Sequence, residues 1–123
     1  MKILSVDDST TARLIVKRTF EEQGHKVLEA PDGAVALSVL EAQSPIDVII
    51  LDWNMPVMTG IECLEEIRKN PGYKNVKIVM CTTEAEKPQI VKAIQAGANG
   101  YLLKPVTPEA LTAGVNKVAG LAA

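Results

Sequence analysis

Four short apolar runs punctuate this chain, and each ends in a polar residue. Ile3-Leu4-Ser5-Val6 runs into Asp7-Asp8, and Val48-Ile49-Ile50-Leu51 runs into Asp52. Val76-Lys77-Ile78-Val79-Met80-Cys81 runs into Thr82-Thr83, and Tyr101-Leu102-Leu103 into Lys104-Pro105. Runs this short, bounded by turn signals, predict strands, and an unbroken one predicts a strand buried on both faces. Strands are thus expected over 2–7, 26–30, 47–52, 76–81 and 99–103. The intervening segments carry the helical period. Ala12, Ile15, Val16 and Phe20 predict a helix over 10–23, with Ser9 or Thr10 as N-cap and Gly24 as its stop. The turn Pro31-Asp32-Gly33 opens a helix running to about Gln43, which Ser44-Pro45 breaks. Further helices are expected over 60–69, 86–96 and 107–120. Short links between alternating strands and helices require parallel strands with helical crossovers. Right-handed crossovers then give a doubly wound α/β sandwich of three layers.

Composition narrows the class. The chain has 123 residues, the size of one domain, and its 47% hydrophobic content supports a core without disulfide or metal staples. No Lys/Arg block stands out in a chain of net charge −2, which argues against a nucleic-acid partner. No apolar stretch is long enough to span a membrane, and Asp7-Asp8 interrupts any signal-peptide pattern. A cytoplasmic protein is expected, with no membrane partner. Cys63 and Cys81 fall in a helix and a buried strand, so both are expected to be reduced core residues. His25 reads as an exposed loop residue, not a phosphodonor.

The polar strand ends carry the chemistry. In a parallel open sheet, the carboxyl ends of the strands share one edge, where such sheets place ligands. Asp7, Asp8, Asp52, Thr82 and Lys104 would meet there. Clustered carboxylates raise one another's pKa, and a hard divalent cation such as Mg²⁺ relieves that conflict. Asp52 is then a candidate nucleophile for phosphoryl transfer, forming an acyl phosphate. Lys104 and the Thr82 hydroxyl are candidate partners for phosphoryl oxygens. Singly, each residue has a plainer reading. Asp7 or Asp52 could be a solvated turn residue, Lys104-Pro105 a turn, and Thr82 the cap of the following helix.

Taken in order, Val6-Asp7-Asp8, Asp52-Trp53-Asn54-Met55-Pro56, Met58-Thr59-Gly60, Thr82-Thr83-Glu84, Ala96-Gly97-Ala98-Asn99-Gly100-Tyr101 and Lys104-Pro105 resemble the response-regulator receiver domains over essentially the whole chain. The likeness is strongest to the stand-alone chemotaxis members. It implies a flavodoxin-like five-stranded parallel sheet, order 2-1-3-4-5, with five helices, forming a single domain over 1–123 without an output domain. It implies phosphorylation of Asp52 by a CheA-like sensor histidine kinase, the domain itself catalysing the transfer and its own dephosphorylation without being an enzyme in the ordinary sense. Asp8, Asp52 and the Asn54 carbonyl would bind Mg²⁺, with Asp7 acting through metal-bound water. Thr82 and Tyr101 would be switch residues, Lys104 would hold the phosphoryl group, and the Lys104–Pro105 bond would be cis. Asn54 and Glu84 would tune dephosphorylation. The switched surface would be the last helix–strand–helix segment, roughly 86–118, acting on the flagellar motor or another protein effector, with a phosphatase as a further partner.

The chain departs from that pattern at Ser9 and Val106, where Phe is common, at Thr83, often Ala, and at Gly114, where close relatives carry Lys on the output face. These departures bear on the partner and not on the acidic site. Two other functions compete. One is a phosphate sink or relay with the same chemistry. The other is a Mg²⁺-dependent aspartyl-phosphate phosphohydrolase, which would want an acid/base carboxylate where this chain has Asn54.

Overall fold

The computed structural model describes residues 1–120; the closing Leu121–Ala123 and the side chain of Glu84 lie outside the described part. Its strands are β1 (Lys2–Val6), β2 (Lys26–Ala30), β3 (Val48–Asp52), β4 (Lys77–Thr82) and β5 (Gly100–Leu103). They form one parallel sheet in the order β2-β1-β3-β4-β5. The helices are α1 (Thr10–Glu21), α2 (Gly33–Gln43), α3 (Gly60–Lys69), α4 (Ile90–Gln95) and α5 (Pro108–Ala119). The doubly wound, flavodoxin-like expectation holds, strand order included.

Alternation along the strands divides the core. Leu4, Val6, Ile49, Leu51, Ile78 and Met80 face α2, α3 and α4. Ile3, Val48, Ile50, Val79 and Cys81 face α1 and α5, packing on Phe20 and Leu111. All five residues of β3 are buried, which explains its unbroken apolar run. The helix starts are set locally. Ser9, not Thr10, caps α1, its hydroxyl accepting the Ala12 N–H at 3.2 Å. Asp32 caps α2, so Gly33 is already helical. Thr59 and Glu62 form a reciprocal capping box on α3. Gly24, at φ +87, takes the left-handed conformation past the end of α1.

Two expectations need correction, and the plainer reading of Thr82 as a helix cap falls away. The helix over 86–96 is instead a 3₁₀ segment over Glu84–Gln89 followed by the short α4. Pro88 has no N–H to give the carbonyl four residues back, and its ring crowds that carbonyl, so regular helix begins only beyond it. Thr82 does not start that segment. It is the last residue of β4, and Thr83 takes the N-cap position, its N–H donating to the Glu86 carboxylate at 2.9 Å. His25 is half-buried rather than exposed, its ring 6.2 Å from that of Phe20 and its Nδ1 2.8 Å from the Met1 amine. Burial and that amine lower the imidazole pKa. Both cysteines are free and buried, and burial pushes each thiol up to about 12.

Candidate functional site

Strand ends supply the site residues. Asp52 closes β3 and Thr82 closes β4, while Asp7 and Asp8 follow β1 and Lys104 follows β5. All five therefore sit at the carboxyl edge of the sheet, as the sequence suggests. Asp52 has the parity of Val48 and Ile50, so its side chain lies on the α1/α5 side and is only 3% exposed. Asp7 is buried and Asp8 exposed. One carboxylate oxygen from each of Asp7, Asp8 and Asp52 lies within 4.8 Å of the others. Such a set of hard oxygen donors suits Mg²⁺ chemistry.

Lys104 is the cation of this group. Its ammonium hydrogen-bonds Asp52 Oδ1 and stands 3.7 Å from Asp7 Oδ2. Its backbone N–H donates to the Thr82 carbonyl at 2.7 Å, and its peptide bond to Pro105 is cis, as the resemblance implies. A second cis bond, Ser44–Pro45, lies at the opposite edge and was not anticipated. One ammonium against three carboxylates leaves the site acidic. Burial raises the Asp52 pKa; the Lys104 hydrogen bond pulls it down, and the charge of Asp7 pushes it up again. For Lys104, burial works to lower the pKa, but the bond to Asp52 and the nearby carboxylates prevail and raise it.

Thr82 is fully buried, and its Oγ1 finds no hydrogen-bond partner among the described residues. A buried hydroxyl without a partner costs stability, which leaves Thr82 Oγ1 as an unused donor at this sheet edge. Tyr101, three residues before Lys104, is 44% exposed and turned to solvent. Asn54 is exposed, and its backbone helps hold the Asp52 carboxylate charged. Glu84 begins the 3₁₀ segment. Trp53 is buried on the opposite face from Asp52, within the α2–α3–α4 core. Gly114 is half-buried, and a Cβ there would stand 2.8 Å from Leu102 Cδ2.

Three contributors escaped the sequence reading. A Cβ on Gly60 would come within 2.3 Å of the Asp52 carbonyl oxygen and 2.9 Å of Trp53 Cα, so α3 starts flush against the backbone that carries Asp52. The sequence showed this glycine only as part of a motif and a helix start. Arg13 donates to the Asp7 carbonyl at 2.6 Å and pairs with Glu29 at 3.2 Å, pinning the acidic loop to β2. Nothing in the local pattern singles it out. Val57 has φ 71 and is 83% exposed, a strained conformation for a β-branched residue in the loop after Asp52.

Comparison with known proteins agrees with this geometry. The family model described as the response regulator receiver domain matches residues 3–116. The chain belongs to the response-regulator receiver-domain family. Within it, the chain is similar to the chemotaxis protein CheY homolog of Campylobacter jejuni, 42% identical over 98% of this chain and 93% of that protein. It is 41% identical to the chemotaxis protein CheY1 of Helicobacter pylori, over 98% of each. Among solved structures, the chemotaxis protein CheY4 of Vibrio cholerae superposes with a TM-score of 0.89 at 40% identity, covering 95% of this chain and 97% of that one. Such receivers are signalling proteins of the chemotaxis response-regulator type rather than enzymes in the ordinary sense. Among the described residues, no helix is long and apolar enough to cross a membrane.

Proposed function

We propose that this chain is a phosphorylation-dependent switch of a two-component system, phosphorylated by a sensor histidine kinase and read by a protein effector, with chemotaxis as its setting in the cytoplasm. The observation that carries this is the Lys104–Asp52 pair beside the buried, unpartnered Thr82 hydroxyl: acceptor, charge partner and spare donor share one sheet edge.

Asp52 is the phosphoacceptor. One of its oxygens attacks the phosphorus of the kinase phosphohistidine, and the bond to the imidazole nitrogen breaks. Asp8, Asp52 and the Asn54 carbonyl, supported by Asp7, are the groups that would hold Mg²⁺. Bound there, the ion supplies charge neutralisation for the transferring group. Lys104 exchanges its carboxylate partner for a phosphoryl oxygen, and Thr82 donates to another. Movement of Thr82 frees space toward Tyr101, which turns inward. The phosphoryl group adds up to about two negative charges, enough to bias such a two-state element. The signalling face is then α4–β5–α5, where Val91, Ile94 and Tyr101 leave apolar surface exposed. Asn54 and Glu84 set the lifetime of the phosphorylated state, alone or with a phosphatase.

A phosphorylated kinase mixed with wild type and with Asp52→Asn tests the assignment. Rapid transfer to wild type alone is expected, and equal transfer to the variant would overturn it. A sink or relay would take the phosphoryl group as fast but gain no affinity for an effector on phosphorylation.

A further inference from the structure

Asp7 is buried at the sheet edge, whereas Asp8 is exposed, so the direction of Asp8 is set by the backbone it hangs from. That backbone is tied down at Asp7. The Asp7 N–H donates to the Ala30 carbonyl of β2 at 3.1 Å, and Asp7 Oδ1 accepts the Ser9 N–H at 2.9 Å. The Asp7 carbonyl accepts a bond from Arg13 Nη1 at 2.6 Å. This carbonyl belongs to the planar peptide unit that joins Asp7 to Asp8, so holding it fixes the plane from which Asp8 departs. Arg13 is itself held. Its Nε stands 3.2 Å from Glu29 Oε1 on β2, and only 15% of its side chain is exposed. One rigid, planar guanidinium thus spans the acidic loop and the strand beside it.

Charge alone gives no reason for an arginine here. A guanidinium bonded to the backbone of Asp7 repels any cation that the carboxylates attract. What it adds is stiffness. Mg²⁺ demands near-ideal octahedral geometry from its oxygen ligands, whereas Ca²⁺ accepts a looser and more variable set. A loop held in one shape therefore serves the smaller ion more than the larger. We infer that Arg13, anchored by Glu29, is a positioning residue that makes the acidic cluster favour Mg²⁺ over Ca²⁺. This rests on the reading of Asp7, Asp8 and Asp52 as the Mg²⁺ site. Arg13 touches neither the ion nor the phosphoryl group; it acts through the Asp7–Asp8 peptide.

Titration of the full chain with MgCl₂ and with CaCl₂ at fixed ionic strength, read by the NMR amide shifts of Asp8 and Asn54, gives both dissociation constants. Wild type should bind Mg²⁺ the more tightly. Arg13→Met keeps the apolar stem and removes the fork. Its Mg²⁺ binding should weaken about tenfold. Its Ca²⁺ binding should weaken by clearly less, so the preference for Mg²⁺ narrows. Loss of a repelling charge would instead tighten both ions, and a general loss of structure would weaken both alike. Glu29→Ala releases the fork from its other end and should narrow the preference in the same direction. It decides the matter if Arg13→Met does not fold. No preference for Mg²⁺ in wild type, or one that is unchanged or widened in the folded variants, overturns the role of Arg13 and leaves the metal site standing. No response of wild type to either ion overturns both.

Discussion

Lys104 reaches past the whole of β4 to place its ammonium on Asp52, joining the outermost strand β5 to the central strand β3 by one charge-assisted bond. Asp52 therefore has a cation in the resting protein, yet its pKa is still raised, because burial outweighs the one bond. The pair ties two non-adjacent strands together at this edge. Under the proposed function, accepting a phosphoryl group would give Lys104 a better anion without moving it far, with the Thr82 hydroxyl on the neighbouring strand as a second donor.

Removing the Asp52 charge should stabilise the resting fold. A folded pKa above the unfolded one, near 3.8, means the folded state binds the proton more tightly. That contribution favours folding below the unfolded value and is lost as pH rises through the folded one. In metal-free buffer at pH 7, Asp52→Asn should gain on the order of 1 kcal/mol, and the gain should shrink as the pH falls into the range where wild-type Asp52 is protonated. Urea unfolding of both proteins across pH 4–7 measures it.

Thr82→Val removes a buried hydroxyl that has no partner and keeps its shape. The resting protein should become more stable by about 1 kcal/mol, while its response to phosphorylation weakens. Thermal unfolding gives the first quantity, and effector affinity with and without a phosphoryl mimic gives the second. A loss of stability would mean the hydroxyl is satisfied in the resting state.

Gly60→Ala places a methyl group against the Asp52 carbonyl and Trp53 Cα, both backbone and unable to give way cheaply. A destabilisation of about 2–3 kcal/mol is expected, with slower phosphorylation of the displaced Asp52. Denaturant titration and labelling rate should change together.

Arg68, at the end of α3, ties down the base of α4. Its guanidinium donates to the carbonyls of Gly97, Tyr73 and Val76 at 2.8–3.0 Å and to Asn99 Oδ1 at 3.0 Å. Asn99 Oδ1 in turn accepts the Ile78 N–H. A lysine cannot make this fork, so Arg68→Lys should lose about 2 kcal/mol and speed amide exchange through 94–99. Hydrogen exchange resolves whether the loosening is confined to that loop.

Much of this was legible along the chain because single residues carry it. The β3 run is apolar throughout since both faces are covered, and Asp52 interrupts it where the sheet ends. The helix expected over 60–69 has those bounds in the structure, where the Thr59–Glu62 capping box supplies the chemical reason for its start. What escaped depends on distant partners. The half-burial of His25 comes from Phe20 and the chain start, the role of Arg13 from Glu29 on another strand, and the need for glycine at 60 from a backbone eight residues away. The 3₁₀ start of the α4 region was visible in Pro88, whose missing N–H weighs more than the helical period around it.

The central claim is that Asp52 accepts a phosphoryl group and that the fold responds. The direct measurement is Trp53 fluorescence of wild type and Asp52→Asn during addition of Mg²⁺ and then acetyl phosphate, with mass mapping of the modified residue. The account predicts a Mg²⁺-dependent fluorescence change on phosphodonor addition and a phosphoryl group on Asp52, both absent from the variant. A phosphodonor response of equal size in Asp52→Asn, or a phosphoryl group mapped to another residue, would contradict it.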